Sequence, residues 1–119
     1  MKSAFAAAVL ILATASASAA PLPRPAPFAI CGVCHKTDAG QPAGVGPNLW
    51  GVGTRVSGTA PGYAYSPAMK AAKIKWSKAE IVNFITDPQK KVPGTKMIYA
   101  GQKDPTQAAA IADYLMSLK

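Results

Sequence analysis

The chain has 119 residues, with 13 Lys and Arg against 5 Asp and Glu, and carries a formal charge of +8. Such a length holds one domain with one modest core, which excludes two large domains. Its longest apolar run is too short for a membrane span of roughly 20 residues, and the excess of basic residues excludes an acidic disordered tail.

Residues 1–20 read as a secretory signal peptide. Lys2 gives a positive start, Ala4 to Ala13 is an unbroken apolar run of ten residues, and Ala15 to Ala20 is a string of small residues suited to cleavage. Cleavage near Ala19 or Ala20 predicts an exported, periplasmic protein of about 100 residues, with 12 basic against 5 acidic side chains, or about +7. Residues 21–27, Pro-Leu-Pro-Arg-Pro-Ala-Pro, predict an extended, poorly ordered leader, because proline lacks the helix donor. The domain itself is expected over 28–119.

Both cysteines, Cys31 and Cys34, lie in the mature part. A disulfide between them would close so short a loop that it would restrain little of the unfolded chain. With the next residue they form Cys31-Gly32-Val33-Cys34-His35, the C-x-x-C-H pattern of covalent haem attachment. Residues i and i+3 share one face of a helical turn, so both thiols can reach the haem vinyl groups while His35 swings under the ring toward iron. A thioredoxin-like redox pair needs a βαβ context that the chain lacks. A structural zinc site prefers four ligands, and there are three here.

Gly40 to Gly62 holds seven glycines and three prolines in 23 residues, which neither a helix nor a central strand survives. So long a loop either encloses something or is disordered, and Trp50, Tyr63 and Tyr65 favour enclosure. Helix signals follow. Ser66-Pro67 is an N-cap with proline at the first helical position, opening a short helix through about Ala72. Ser77 and Glu80 make a capping box, with Trp76 and Ile81 as a hydrophobic staple, and Ile81, Phe84 and Ile85 form the apolar stripe until Asp87-Pro88 ends the helix. Asp104-Pro105, with Gln107 at the capping-box position, opens the last helix, whose stripe is Ile111, Leu115 and Leu118. No segment alternates, so almost no sheet is expected. Helices this short, with this little aliphatic mass, need a non-protein core, and a haem supplies one.

A single histidine excludes a bis-histidine haem within the chain, leaving methionine, lysine, water or nothing as sixth ligand. Met69, Met97 and Met116 compete. Met116 beside the last helix's stripe reads as core filler, and Met69 in its short helix is ambiguous. Met97 follows the turn-forming Pro93-Gly94-Thr95-Lys96 and is favoured, because a side chain there can be aimed inward.

The motifs Cys31 to His35, Gly46-Pro47-Asn48-Leu49-Trp50-Gly51, Arg55, Ala60 to Ser66, Trp76 and Pro93 to Met97 together resemble the class I cytochrome c family, over about Phe28 to the C-terminus. The resemblance implies an all-α fold of three to five short helices wrapped around one covalently attached haem c. It implies attachment through Cys31 and Cys34, with His35 and Met97 as axial ligands. By the same resemblance the Pro47 carbonyl orients His35, Arg55, Tyr65 and Trp76 hydrogen-bond the haem propionates, and Thr95 lies near the methionine and a propionate. Family departures are the short approach to Cys31 after Pro25 and Pro27, Phe84 for a usual tyrosine, Met69 for a usual asparagine, and Ile30, Gly44 and Gln89 at often basic positions. Lys90, Lys96 and Lys103 remain as docking residues near the haem edge.

The function expected is a diffusible periplasmic one-electron carrier, not an enzyme. It is expected to be monomeric, peripheral to the membrane at most and without a nucleic-acid target. Its partners would be a cytochrome reductase or dehydrogenase as donor and an oxidase or reductase as acceptor, meeting it through acidic patches. Alternatives are a haem c subunit dedicated to one dehydrogenase or oxidase complex and, less favoured, a peroxidase-type enzyme.

Overall fold

The computed structural model describes residues 8–15 and 19–119. Lys2, the first part of the apolar run and Ser16 to Ser18 of the cleavage stretch lie outside the described residues. Val9 to Leu12 are exposed and carry no helix.

Four α-helices follow one another along the second half of the chain: α1 (Pro67–Ala72), α2 (Lys78–Thr86), α3 (Pro88–Lys91) and α4 (Pro105–Met116). Three of them, α1, α3 and α4, begin with a side-chain cap followed by proline, since Ser66, Asp87 and Asp104 each accept a backbone N–H of the first turn. α3 departs from the sequence expectation: Asp87-Pro88 does end α2, but it also starts this further turn.

The capping boxes are each half-built. Ser77 Oγ accepts from Glu80 N at 3.2 Å, but the Glu80 carboxylate pairs with Lys91 Nζ at 2.7 Å, which ties α2 to α3. At α4, Asp104 Oδ1 accepts from Thr106 N and Gln107 N, while the Asp104 N–H is taken by Gln102 Oε1 at 3.0 Å.

α2 packs along α4, joining Ile81, Phe84 and Ile85 to Ala108, Ile111 and Leu115 in one core. Leu118, just past the end of α4, is 2% exposed, and its carbonyl accepts from Gly51 N at 2.6 Å, which fastens the long loop to the C-terminus. Among the described residues there is no strand, only the isolated antiparallel bridge Val56–Lys75.

In place of a long helix, one 3-10 turn, Ala26–Ala29, precedes Cys31 and a second, Cys31–Val33, begins at it. Phe28 is fully buried and meets Tyr114 of α4 edge to face at 5.1 Å. The proline-rich leader is irregular over 21–25, enters the first 3-10 turn at Ala26 and is anchored, which differs from the extended, poorly ordered segment expected. Leu22 N donates to Ser117 Oγ at 2.9 Å, Arg24 Nη2 donates to Thr37 Oγ1 at 2.8 Å, and the Arg24 guanidinium lies 5.2 Å from the Phe28 ring centre. The buried Thr37 hydroxyl also accepts from Tyr114 OH at 3.3 Å, so leader, cysteine segment and α4 share one polar junction.

Candidate functional site

The helices and the long loop surround an open, mainly apolar cavity of about 340 Å³. Cys31, Cys34 and His35 form one side of it, and Met69 of α1 and Met97 of the Pro93–Met97 turn also face it.

His35 is held at both ends. Its backbone N–H donates to Cys31 O at 3.0 Å, closing the turn that sets the two cysteines one turn apart. Its ring Nδ1 donates to Pro47 O at 2.8 Å, the partner that family resemblance implied. This bond fixes the tautomer, leaving the Nε2 lone pair free. Burial pushes the His35 pKa below its ordinary value, opposed by the Pro47 carbonyl, so protons compete less for that lone pair. Gly46 makes the close approach possible: a Cβ there would come within 2.5 Å of His35 Cε1.

Burial raises the Cys31 pKa, and both thiols are free. Two free thiols one turn apart beside an apolar cavity suit addition across two vinyl groups. The imidazole suits iron. The residues present therefore fit a haem.

A polar group of four lines the cavity as well: Arg55, Tyr65, Trp76 and Thr95. Arg55 donates from Nη1 to Trp50 O at 2.6 Å and from Nη2 to Asn48 O at 2.8 Å, which pins its guanidinium rather than leaving it solvated. Burial lowers the Arg55 pKa and raises that of Tyr65. Tyr65 OH accepts from Ala60 N at 3.2 Å and keeps its own proton to give. Trp76 tilts against Phe84, with ring centres 5.5 Å apart. Thr95 Oγ1 accepts from Met97 N at 3.4 Å.

Met116 is removed from the ligand competition, because it packs on Gly53 and is not among the cavity residues. Of the aromatics expected to enclose something, Tyr63 and Tyr65 line the cavity, but Trp50 does not. Trp50 faces a separate recess with Pro42, Pro61 and Gly62. Tyr99, whose pKa burial raises, is a cavity residue that the sequence reading missed. Its signal was its place two residues after Met97, on the same approach to the cavity.

Of Lys90, Lys96 and Lys103, which the resemblance implied as docking residues, only Lys96 borders the cavity, and its Nζ donates to Ala64 O at 2.8 Å. Lys103 Nζ donates to Thr86 O at 2.7 Å, capping the end of α2. Lys90 lies exposed in the last turn of α3.

Residues 26–119 match the family model for cytochrome c. The chain belongs to the cytochrome c family. It is 45% identical over 92 residues to cytochrome c2 of Rhodoblastus acidophilus, covering 77% of this chain and 86% of that protein. It is 50% identical over 76 residues to cytochrome c-550 of Nitrobacter winogradskyi, covering 64% and 70%. The solved structure of cytochrome cH from Methylobacterium extorquens superposes with a TM-score of 0.70 at 42% identity, covering 75% of this chain and 89% of that one. This cytochrome c is therefore an electron carrier that works with redox partners, and its cofactor is one haem c bound covalently through Cys31 and Cys34.

Proposed function

We propose that the protein is an exported, periplasmic one-electron carrier in which His35 Nε2 and Met97 Sδ are the two axial ligands. The observation that carries this reading is the convergence on one apolar cavity of both thiols, a histidine oriented by Pro47 O at 2.8 Å, and Met97. When bound, the haem supplies a one-electron iron couple. The chain's residues set its surroundings. Pro47 holds His35 in its ligating tautomer and raises its basicity. Met97 would supply a thioether as the second ligand, and a histidine–methionine set raises the potential relative to harder ligands. Arg55, Tyr65, Trp76 and Thr95 offer N–H and O–H donors on the cavity wall, suited to propionate carboxylates.

Met97 is favoured over Met69 by its backbone. Met69 is fixed within α1, is 7% exposed and belongs to the packed core, whereas Met97 is carried on an irregular turn. A carrier is favoured over a peroxidase-type enzyme because His35 is the sole histidine and no carboxylate lines the cavity among the described residues. Residues 1–20 are proposed as the cleaved export signal, 21–27 as the leader and 28–119 as the haem domain. Among the described residues no helix is long and apolar enough to cross a membrane.

The test is the visible spectrum of the ferric holoprotein. A red methionine-to-ferric band should be present in the wild type, kept in Met69→Leu and lost in Met97→Leu, each being a nearly volume-conserving swap. The reverse pattern would assign the ligand to Met69.

A further inference from the structure

One side chain outside the cavity grips the turn that carries Met97. Gln89 lies in the single turn of α3 and points its amide at the loop that follows. Its Nε2 donates to Thr95 O at 3.0 Å, and its Oε1 accepts from Gly94 N at 3.4 Å. Gly94 offers an N–H and Thr95 a C=O, so only one orientation of the amide satisfies both. The grip falls on a turn with little other regular support: Gly94 has φ +91, and Thr95 N donates to Val92 O at 3.0 Å. Thr95 in turn holds Met97 through Oγ1. A chain of three hydrogen-bonding groups thus runs from α3 to the backbone of Met97. Asp87 anchors its far end by capping α3 through Lys90 N at 3.2 Å.

We propose that Gln89 is a positioning residue for Met97, holding the turn closed so that the methionine stays seated on the haem. The proposal rests on Met97 as the axial ligand. Without the amide, the closed backbone remains accessible but the open state becomes more populated.

An external ligand can reach ferric iron only when Met97 has left, so its apparent affinity follows the open fraction. The experiment is imidazole titration of the ferric holoprotein for wild type, Gln89→Leu, Gln89→Glu and Gln107→Leu, with a denaturant melt of each. Gln89→Leu should tighten imidazole binding about fivefold, the scale of losing two modest hydrogen bonds partly replaced by water. Gln89→Glu should also tighten it, because a carboxylate keeps the bond to Gly94 N but cannot donate to Thr95 O. Gln107→Leu, whose amide pairs with Gln102 away from the turn, should bind as wild type does. Unchanged binding in Gln89→Leu would overturn the proposal, as would equal tightening in Gln107→Leu. A lowered melting midpoint with unchanged imidazole affinity would overturn it too, assigning the amide to general stability. A wild type without the methionine band would remove the Met97 reading and this one with it, and the wild-type spectrum distinguishes that failure from the others.

Discussion

At the scale of single residues, the site depends on what is small as much as on what ligates. His35 can donate to the Pro47 carbonyl only because residue 46 has no side chain, with three ring atoms of His35 lying 2.5 to 3.0 Å from where a Cβ would stand. Those atoms belong to a ring fixed on one side by Pro47 and, in the proposed site, held on the other by haem iron, so it has little room to yield. We expect Gly46→Ala to cost about 2 kcal/mol or more, the upper range for overpacking, and to weaken the red band by tilting the imidazole. A denaturant melt and a ferric spectrum of the holoprotein check both. Gly53 gives the contrast: its added Cβ would meet the flexible end of Met116, which can swing away, so Gly53→Ala should be milder. Cys31, Cys34 and His35 were legible in the sequence because the haem motif is contiguous. The need for glycine at 46 was not, because it arises from a contact eleven residues away that only the folded loop creates.

At the scale of elements, cap and proline signals located α1, α2 and α4, because such signals are local and the residues that satisfy them are neighbours. α3 carries the same signature in Asp87-Pro88. It escaped notice because a proline after an apolar stripe also reads as a stop, and here it is both. The reciprocal halves of the capping boxes were not legible, since Lys91 and Gln102 compete for the same groups from outside the motif. Asp104 should still matter most among these caps, because one carboxylate oxygen accepts two N–H groups at the start of the longest helix. Asp104→Ala is expected to lower stability by about 1 kcal/mol while leaving the ferric spectrum unchanged. A urea melt followed at the α-helical circular dichroism minimum measures it, and a loss of the red band would show that the cap reaches the site. The leader follows a related rule. Proline content excludes regular structure, but it does not stop Arg24 and Leu22 from docking on Thr37 and Ser117.

At the scale of the whole molecule, the apolar surface is arranged around an absence of protein. From residue 23 onward, the exposed large aliphatic side chains among the described residues are Ile30, Val33, Val45, Val56 and Ile98, and all five line the cavity. Packing these side chains against a covalently held apolar ring removes apolar surface from water only in the folded state, so it favours folding. Leu49, Phe84 and Leu115 also border the cavity, and the Gly40 to Gly62 loop has no ladder of its own. The double variant Cys31→Ala, Cys34→Ala should therefore lose cooperative folding along with colour, and a compact apoprotein with a sharp calorimetric transition would contradict this. The same open mouth determines where charge can act on electron transfer. With a formal charge of +8 on a small chain, positive residues near the mouth would steer an acidic partner toward it, mainly through the association rate. Lys96 borders the cavity, whereas Lys70, Lys73 and Lys75 are exposed on and just after α1 and are expected to be a solvated face. Charge reversal at Lys96 and Lys103 should slow transfer to the natural acceptor at low salt more than reversal at Lys73 and Lys75. The Lys96 and Lys103 ammoniums also hold backbone carbonyls, of Ala64 and Thr86, so their reversal also perturbs the fold. Lys90→Glu separates the two effects, because its exposed ammonium has no partner among the described residues. It should slow transfer at low ionic strength, leave the melt unchanged, and converge on the wild-type rate as salt shortens the Debye length to about 8 Å. Stopped-flow rates over a salt series measure this. Rates that ignore salt, or that fall equally for both lysine pairs, would remove the docking role from these lysines while leaving the haem site as described.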